Sequence, residues 1–400
     1  MRAPLWATAA TLLIALQPAR VPAQETSVTR IPDEALAIAP QLREAALASR
    51  LGYEVTESLT TEVGPRMAGS EADARAVKWA EAKFRELGFD KVWLEPVTFP
   101  KWIRRSESAR VLGDNAQPLT LTALGGSPAG TDSHRQPHTG ITRFDEGLIP
   151  IPSAALSVPD AQQLSRLLAL GPQRVHMALD CGWDGEATSH NVIGEITGSE
   201  TPEEVVLIGA HLDSWDLGTG AVDDAAGVGI TMAAAKLIGD LPRHPARSIR
   251  VVAFANEEQG LLGGRAYAEK HAADLTRHVI AAESDFGAGR VYAFATGAPE
   301  SARAAEIQIA AALAPLGIEH APGKGGPGPD LIPFAQRGMA WAWLAQDGTD
   351  YFDLHHTPDD TFDKIDPDAV AQNVAAYAVF AYLAASAEGG FGSAPKPAVE

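Results

Sequence analysis

Imidazole and carboxylate side chains recur in this chain directly after short apolar runs, where strands of a parallel sheet would release them into one shared crevice. Val205–Ala210 delivers His211-Leu212-Asp213, Ile249–Ala255 ends on Asn256-Glu257-Glu258, and Val279–Ser284 ends on Asp285. A Gly-rich loop leads to Asp223-Asp224 at the head of a small-residue stretch, Ala225 to Asp240, which reads as a helix; His355-His356-Thr357 follows downstream. Each group has a plainer reading by itself. His211 could be a hydrogen-bonded structural histidine, Asp223-Asp224 a helix cap, Glu257-Glu258 a solvated loop and His356-Thr357-Pro358 a turn. The set argues otherwise, because gathering acids at strand ends without a cation costs on the order of several kcal/mol in repulsion and desolvation.

Imidazole mixed with carboxylate suits zinc, with cobalt or manganese as substitutes. Cys181 is the only cysteine, so neither a multi-thiolate site nor a disulfide framework can form. Two zinc ions sharing a carboxylate need roughly five protein ligands. His211, Asp223, Glu258, Asp285 and His356 supply that number, which leaves Glu257 beside the ions as a proton acceptor for hydrolysis.

The elements that must position these groups are legible to different degrees. Ser70 and Asp73 form a capping box, and Val77, Ala80, Phe84 and Leu87 recur at helical spacing until Gly88. Lys91–Phe99 alternates as a strand. From Pro100 to His190, Pro and Gly are frequent and periodicity is weak, with Asn115–Gly140 reading as loops around at most one strand, Leu119–Leu124. This stretch, 101–190, is expected to be an insertion between two parts of a catalytic domain, 51–100 and 191–388. Val158–Leu168 is expected as a helix inside the insertion and Asn191–Ile196 as a strand re-entering the main sheet. Ala302–Leu316 reads as a helix, Gly323–Pro329 as a loop, Met339–Ala345 as a strand and Asp368–Ala385 as a closing helix.

With 400 residues, 46 % of them hydrophobic, the chain can bury a large core. Its formal charge of −19 disfavours nucleic acid and anionic lipid as partners. Arg2, the apolar run Ala3–Leu16 and Val21-Pro22-Ala23 read as a signal peptide over 1–23, which implies a secreted or periplasmic protein without a membrane span after cleavage. Residues 24–50 read as a leader and helix, and 389–400 as a flexible tail.

His211-Leu212-Asp213-Ser214-Trp215-Asp216, Asp223-Asp224, Asn256-Glu257-Glu258-Gln259-Gly260, Glu283-Ser284-Asp285 and His355-His356-Thr357-Pro358 together resemble the co-catalytic zinc exopeptidases. The likeness is strongest to the plasma glutamate carboxypeptidase branch, through His211–Asp216, Glu283-Ser284-Asp285, His355-His356 and Pro137-His138-Thr139-Gly140-Ile141, and it extends over nearly all of the mature chain, including Gly64-Pro65-Arg66-Met67-Ala68-Gly69-Ser70. The resemblance implies a three-layer α/β/α fold with a mixed, mainly parallel sheet and an inserted apical β-rich region, which is short here. It implies two zinc ions bridged by Asp223, one also held by His211 and Asp285, the other by Glu258 and His356. It further implies a cis Asp223–Asp224 peptide, attack by a hydroxide held between the metals, Glu257 as general base, and Asp213 accepting the free ring N–H of His211. Short unblocked peptides or dipeptides would be the substrates, and a homodimer is possible for the family. A broad aminopeptidase is the alternative, and a glutaminyl cyclase, a receptor ectodomain or a zinc-storage protein are remoter ones. Gly323–Pro333, Asp330 included, is expected to line the substrate pocket, while Tyr351, Phe352 and His355 are expected mainly to pack.

Overall fold

The computed structural model describes residues 28–125, 136–142 and 151–393. The expected signal peptide and the end of the expected tail lie outside these residues. In chain order the strands are β1 (Lys91–Leu112), β2 (Gln117–Leu119), β3 (Leu121–Ala123), β4 (Ala154–Leu156), β5 (Arg174–Ile196) and β6 (Thr201–His211), followed by β7 (Arg247–Phe254), β8 (His278–Glu283), β9 (Val291–Thr296), β10 (Glu319–His320) and β11 (Trp341–Gln346). The helices are α1 (Asp33–Ala48), α2 (Leu51–Ser58), α3 (Glu71–Glu86), α4 (Val158–Leu170) and α5 (Ala226–Gly239), then α6 (Leu262–Lys270), α7 (Arg303–Leu313), α8 (Ile332–Ala335), α9 (Tyr351–Leu354) and α10 (Pro367–Ser386).

One mixed sheet runs in the order β10-β9-β11-β8-β6-β7-β5-β1-β2, and its centre, β11-β8-β6-β7, is parallel. Central strands carry continuous apolar runs because both faces are covered. Alternate residues sort the two faces: Val206, Ile208, Val251 and Ile280 belong to the larger core with α5 and α10, whereas Val205, Leu207, Val252 and Ala281 pack with α6 and Phe334 on the other face. This is the expected three-layer arrangement. α10 passes a length-and-composition test for a membrane span, but it is buried on all sides, so its apolar character is that of a core helix. The Ser70 cap is as expected: its side chain accepts from the Asp73 N–H, and the Asp73 carboxylate accepts from the Gly69 N–H.

The inserted region departs from the expectation. β1 does not stop at Phe99 but runs to Leu112, and β5 begins at Arg174 rather than Asn191. The two pair antiparallel throughout, from Lys91↔Glu195 to Leu112↔Arg174, with register shifts near Pro100 and Arg104. Beyond the main sheet they form a ribbon with β5 exposed on both faces over most of 174–188, so no apolar alternation could announce it. Two short strands, β2 and β3, replace the single one expected, and Met339 and Ala340 lie outside β11. Ala109, Val111, Leu119, Leu121 and Leu167 give the ribbon and α4 a small core of their own.

Candidate metal centre

The register of the parallel strands brings the chemical groups together. His211 pairs with Phe254 and Gly209 with Glu283, so the loops after β6, β7 and β8 open side by side at one end of the sheet. Asp223 stands between two histidines. The Nε2 atom of His211 is 2.8 Å from its Oδ1, and Nε2 of His356 is 3.2 Å from its Oδ2. Asp285 lies 3.6 Å from His211, and Glu258 lies 2.9 Å from His356. The structure thus brings together all five residues expected as ligands, in two halves on the two oxygens of one carboxylate. The peptide bond between Asp223 and Asp224 is cis.

Each histidine is oriented by a main-chain carbonyl, which can only accept. Nδ1 of His211 donates to the Asp213 carbonyl at 3.0 Å, and Nδ1 of His356 donates to the Thr139 carbonyl at 3.1 Å, so both leave Nε2 facing the centre. The expected role of Asp213 changes accordingly. Its carboxylate stands 3.7 Å from the His211 ring and accepts instead from the Glu257 N–H at 3.0 Å. A carboxylate and a carbonyl of the same residue offer the ring similar acceptors, and sequence does not choose between them. Asp224 accepts from the His211 and Gly227 N–H groups, which engages both of its oxygens and makes it a brace although it lies within ligand distance of His211 and Asp285.

The charges show what the site requires. Burial raises Glu257 and Asp224 well above the carboxylate range, helped by neighbouring acids, and pushes Glu258 up to about 7. Burial opposes a charged His211, yet Asp285, Asp213 and Asp223 hold its pKa well above normal; Glu258 and Asp223 do the same for His356. Asp223 itself is held well below its usual range, because hydrogen bonds from the two histidines outweigh its burial. The pocket therefore draws protons into a crowd of acids, a surplus of negative charge that divalent cations would relieve. Nitrogen and oxygen donors in two sets around a shared carboxylate fit zinc.

These groups line a cavity of about 400 Å³ whose wall includes Asp223, Glu257, Glu258 and Asp285, with Tyr351 and Phe352 on one side. Tyr351 and Phe352 thus face the cavity instead of serving only as packing. A second cavity of about 380 Å³ adjoins through Asp285, Phe286 and Pro329 and is walled by Tyr292 and Trp343. Gly326–Pro329 lines it as expected, but Asp330 does not: it is buried at 0 % exposure and accepts from the Gly264 N–H. His355 is stacked on Tyr351 with ring centroids 4.5 Å apart and, like Tyr351 and Phe352, lines the first cavity.

Three supporting residues were not assigned roles from sequence. The buried Arg66 guanidinium donates to the carbonyls of Leu212, Thr219 and Gly220, tying together the loop between His211 and Asp223. Asp360 accepts from the N–H groups of Val222 at 2.6 Å and Asp223 at 3.3 Å. Thr139, in the inserted region, orients His356. The motif around Arg66 and the Pro137–Ile141 segment stood out as patterns, but nothing local indicated where they dock.

Comparison with known proteins agrees with this geometry. The description of peptidase family M28 matches residues 191–381. The chain is 30 % identical to carboxypeptidase Q of Bos taurus over 410 residues, covering 85 % of this chain and 86 % of that one. Carboxypeptidase Q of Homo sapiens is also 30 % identical, over 409 residues, with 85 % and 86 % covered. Among solved structures, a peptidase M28 precursor from Shewanella amazonensis is 41 % identical, with a TM-score of 0.84 over 91 % of this chain and 99 % of that one. A zinc aminopeptidase from Bacillus subtilis shares the fold at 18 % identity, with a TM-score of 0.60 over 82 % of this chain and 94 % of that one. Similarity along nearly the whole chain, joined to the convergence of both histidines on Asp223, leads to one conclusion: the chain belongs to peptidase family M28.

Proposed function

We propose that the protein is a di-zinc exopeptidase that hydrolyses short, unblocked peptides, including dipeptides, outside the cytoplasm. The observation that carries this reading is the division of ligands across Asp223, with His211 on one carboxylate oxygen and His356 on the other. His211, Asp223 and Asp285 would hold one ion, and Glu258, Asp223 and His356 the other. Bound there, zinc supplies Lewis acidity that lowers the pKa of water and polarises a carbonyl.

The chain's own residues do the rest. Glu257 lines the same cavity and is ion-paired with neither histidine, so its carboxylate is free to take a proton from the attacking water and return it to the leaving amine. The Asp213 carboxylate fixes the Glu257 main chain and so aims that side chain. No lysine or arginine is among the described residues lining either cavity, while Glu257, Asp285 and Glu283 are. This favours holding the substrate's free amino end beside the acids over clasping its carboxylate. The Phe286, Tyr292 and Trp343 rings offer an apolar wall for a side chain.

Release of amino acids from unblocked, N-blocked and C-blocked dipeptides tests the reading. Cleavage of unblocked dipeptides that is lost with an N-terminal block is expected, and tolerance of a C-terminal block would shift the reading to an aminopeptidase. Cleavage that demands a free carboxylate but tolerates an N-terminal block would replace it with a carboxypeptidase.

A further inference from the structure

The inserted ribbon reaches the metal centre through one buried side chain. Arg104, on β1 beyond the main sheet, has a 9 % exposed side chain and binds four segments at once. Its Nε donates to both Asp216 oxygens at 3.1 and 2.9 Å, and Nη2 donates to Thr139 Oγ1 at 2.9 Å. Nη1 donates to Thr122 Oγ1 and the Ala123 carbonyl, and contacts Glu107. The guanidinium also lies over the Trp102 ring, 5.1 Å from its centroid.

Two of these arms lead to the same half of the centre. Thr139 brackets His356 from both sides: its N–H donates to the His356 carbonyl at 3.0 Å, and its carbonyl accepts from the His356 ring. That bracket holds His356 at φ 58, the left-handed region that non-glycine residues seldom occupy. Asp216 follows Trp215, whose N–H donates to Glu258 Oε1 at 3.2 Å, and the Trp215 ring lies edge-on to His356. Among the described residues, no hydrogen bond or ion pair joins the ribbon to His211 or Asp285 themselves. His211 is oriented by Asp213 within its own loop, and Asp224 braces it from the head of α5.

We infer that Arg104 is a positioning residue through which the inserted ribbon organises only the Glu258–His356 half of the centre. The insertion is thus part of the metal site, and its loss would leave one ion well held and the other loose. This rests on the two-metal reading above.

Zinc titration of the metal-free protein against a chromophoric chelator tests it. Wild type should take up two equivalents; fewer than two would overturn the two-metal reading itself. Arg104→Gln should leave the tighter-held His211–Asp285 ion unchanged and weaken the other by about ten- to a hundredfold, as loss of groups that orient ligands commonly does. Arg104→Lys, which keeps the charge but loses the planar fork, should restore part of it. In a His356→Ala background, where only the first ion remains, Arg104→Gln should change nothing. Arg105→Gln, at a neighbouring residue whose exposed pair with Asp180 lies on the same ribbon, is the control and should bind as wild type. Should Arg104→Gln not fold, Thr139→Val and Asp216→Ala each sever one arm and should each weaken the second ion. Two normal equivalents in the Arg104 variant, equal weakening of both, or a persisting effect in the His356→Ala background would each overturn the inference.

Discussion

At the scale of single residues, the proposed mechanism separates groups that would hold metal from a group, Glu257, that would move protons. Glu257→Gln keeps size and hydrogen bonding but cannot accept a proton; its kcat on a dipeptide should fall about 10²–10⁴-fold. Zinc content should stay unchanged, and a parallel loss of zinc would show that Glu257 is a ligand instead. Asp73 offers a test of electrostatics away from the centre. Burial lifts its pKa from 3.8 to about 6, so the folded state holds that proton more tightly than the unfolded chain. Below pH 4 the group is protonated in both states and costs nothing. As pH rises through 6 the folded state must bury the charge, a cost approaching about 3 kcal/mol. The stability of wild type relative to Asp73→Asn should therefore decline between pH 4 and 6 in chemical denaturation. A difference that stays flat, or grows with pH, would contradict the buried-acid assignment.

Elements succeed here by close approach as much as by propensity. The first turn of α5 lies against the end of β8, and a Cβ at Gly227 would stand 2.0 Å from the Ser284 carbonyl oxygen and 2.4 Å from Asp224 Oδ1. Neither can withdraw freely, since one is main chain and the other belongs to a carboxylate whose Oδ1 accepts from the Gly227 N–H and Oδ2 from the His211 N–H. Gly227→Ala, favourable for an isolated helix, should destabilise the protein by about 1–3 kcal/mol through overpacking. A urea midpoint lowered without change in slope would show this, and zinc affinity should fall with it. An unchanged midpoint would mean that α5 can shift away from β8 at no cost.

For the whole molecule, the charge crowded at the strand ends links metal to stability. A ligand that binds only the native state at a hundred times its dissociation constant adds about 2.7 kcal/mol. Chelated protein should therefore melt several degrees below the zinc-loaded form, and added zinc should restore the difference. The same carboxylates bind protons without metal, Glu258 with a pKa of about 7. Zinc must displace those protons, so its stabilising effect should shrink as pH falls below 7. Melting curves that coincide with and without zinc at pH 8 would argue against a metal centre in this fold.

What the sequence determined by itself was local: which strand ends carry imidazole and carboxylate, the capped helix after Ser70, and continuous apolar runs that must lie at the middle of a sheet. Those features depend on residue type and short-range spacing, so the candidate ligands could be named before any fold was known. Only the tertiary structure decided how the set is held. The β5 side of the ribbon is exposed on both faces over most of 174–188 and leaves no periodic trace, yet the ribbon carries Arg104 to Asp216 and Thr139. Thr139 meets His356 across 217 residues through a main-chain carbonyl, a group every residue possesses and no sequence pattern distinguishes. Asp213 looked like the partner of an imidazole and proved to brace the Glu257 main chain, because loop closure chose which of its oxygens faces the ring. Side-chain chemistry is written residue by residue, whereas orientation is imposed by contacts between distant segments that exist only after the chain has closed on itself.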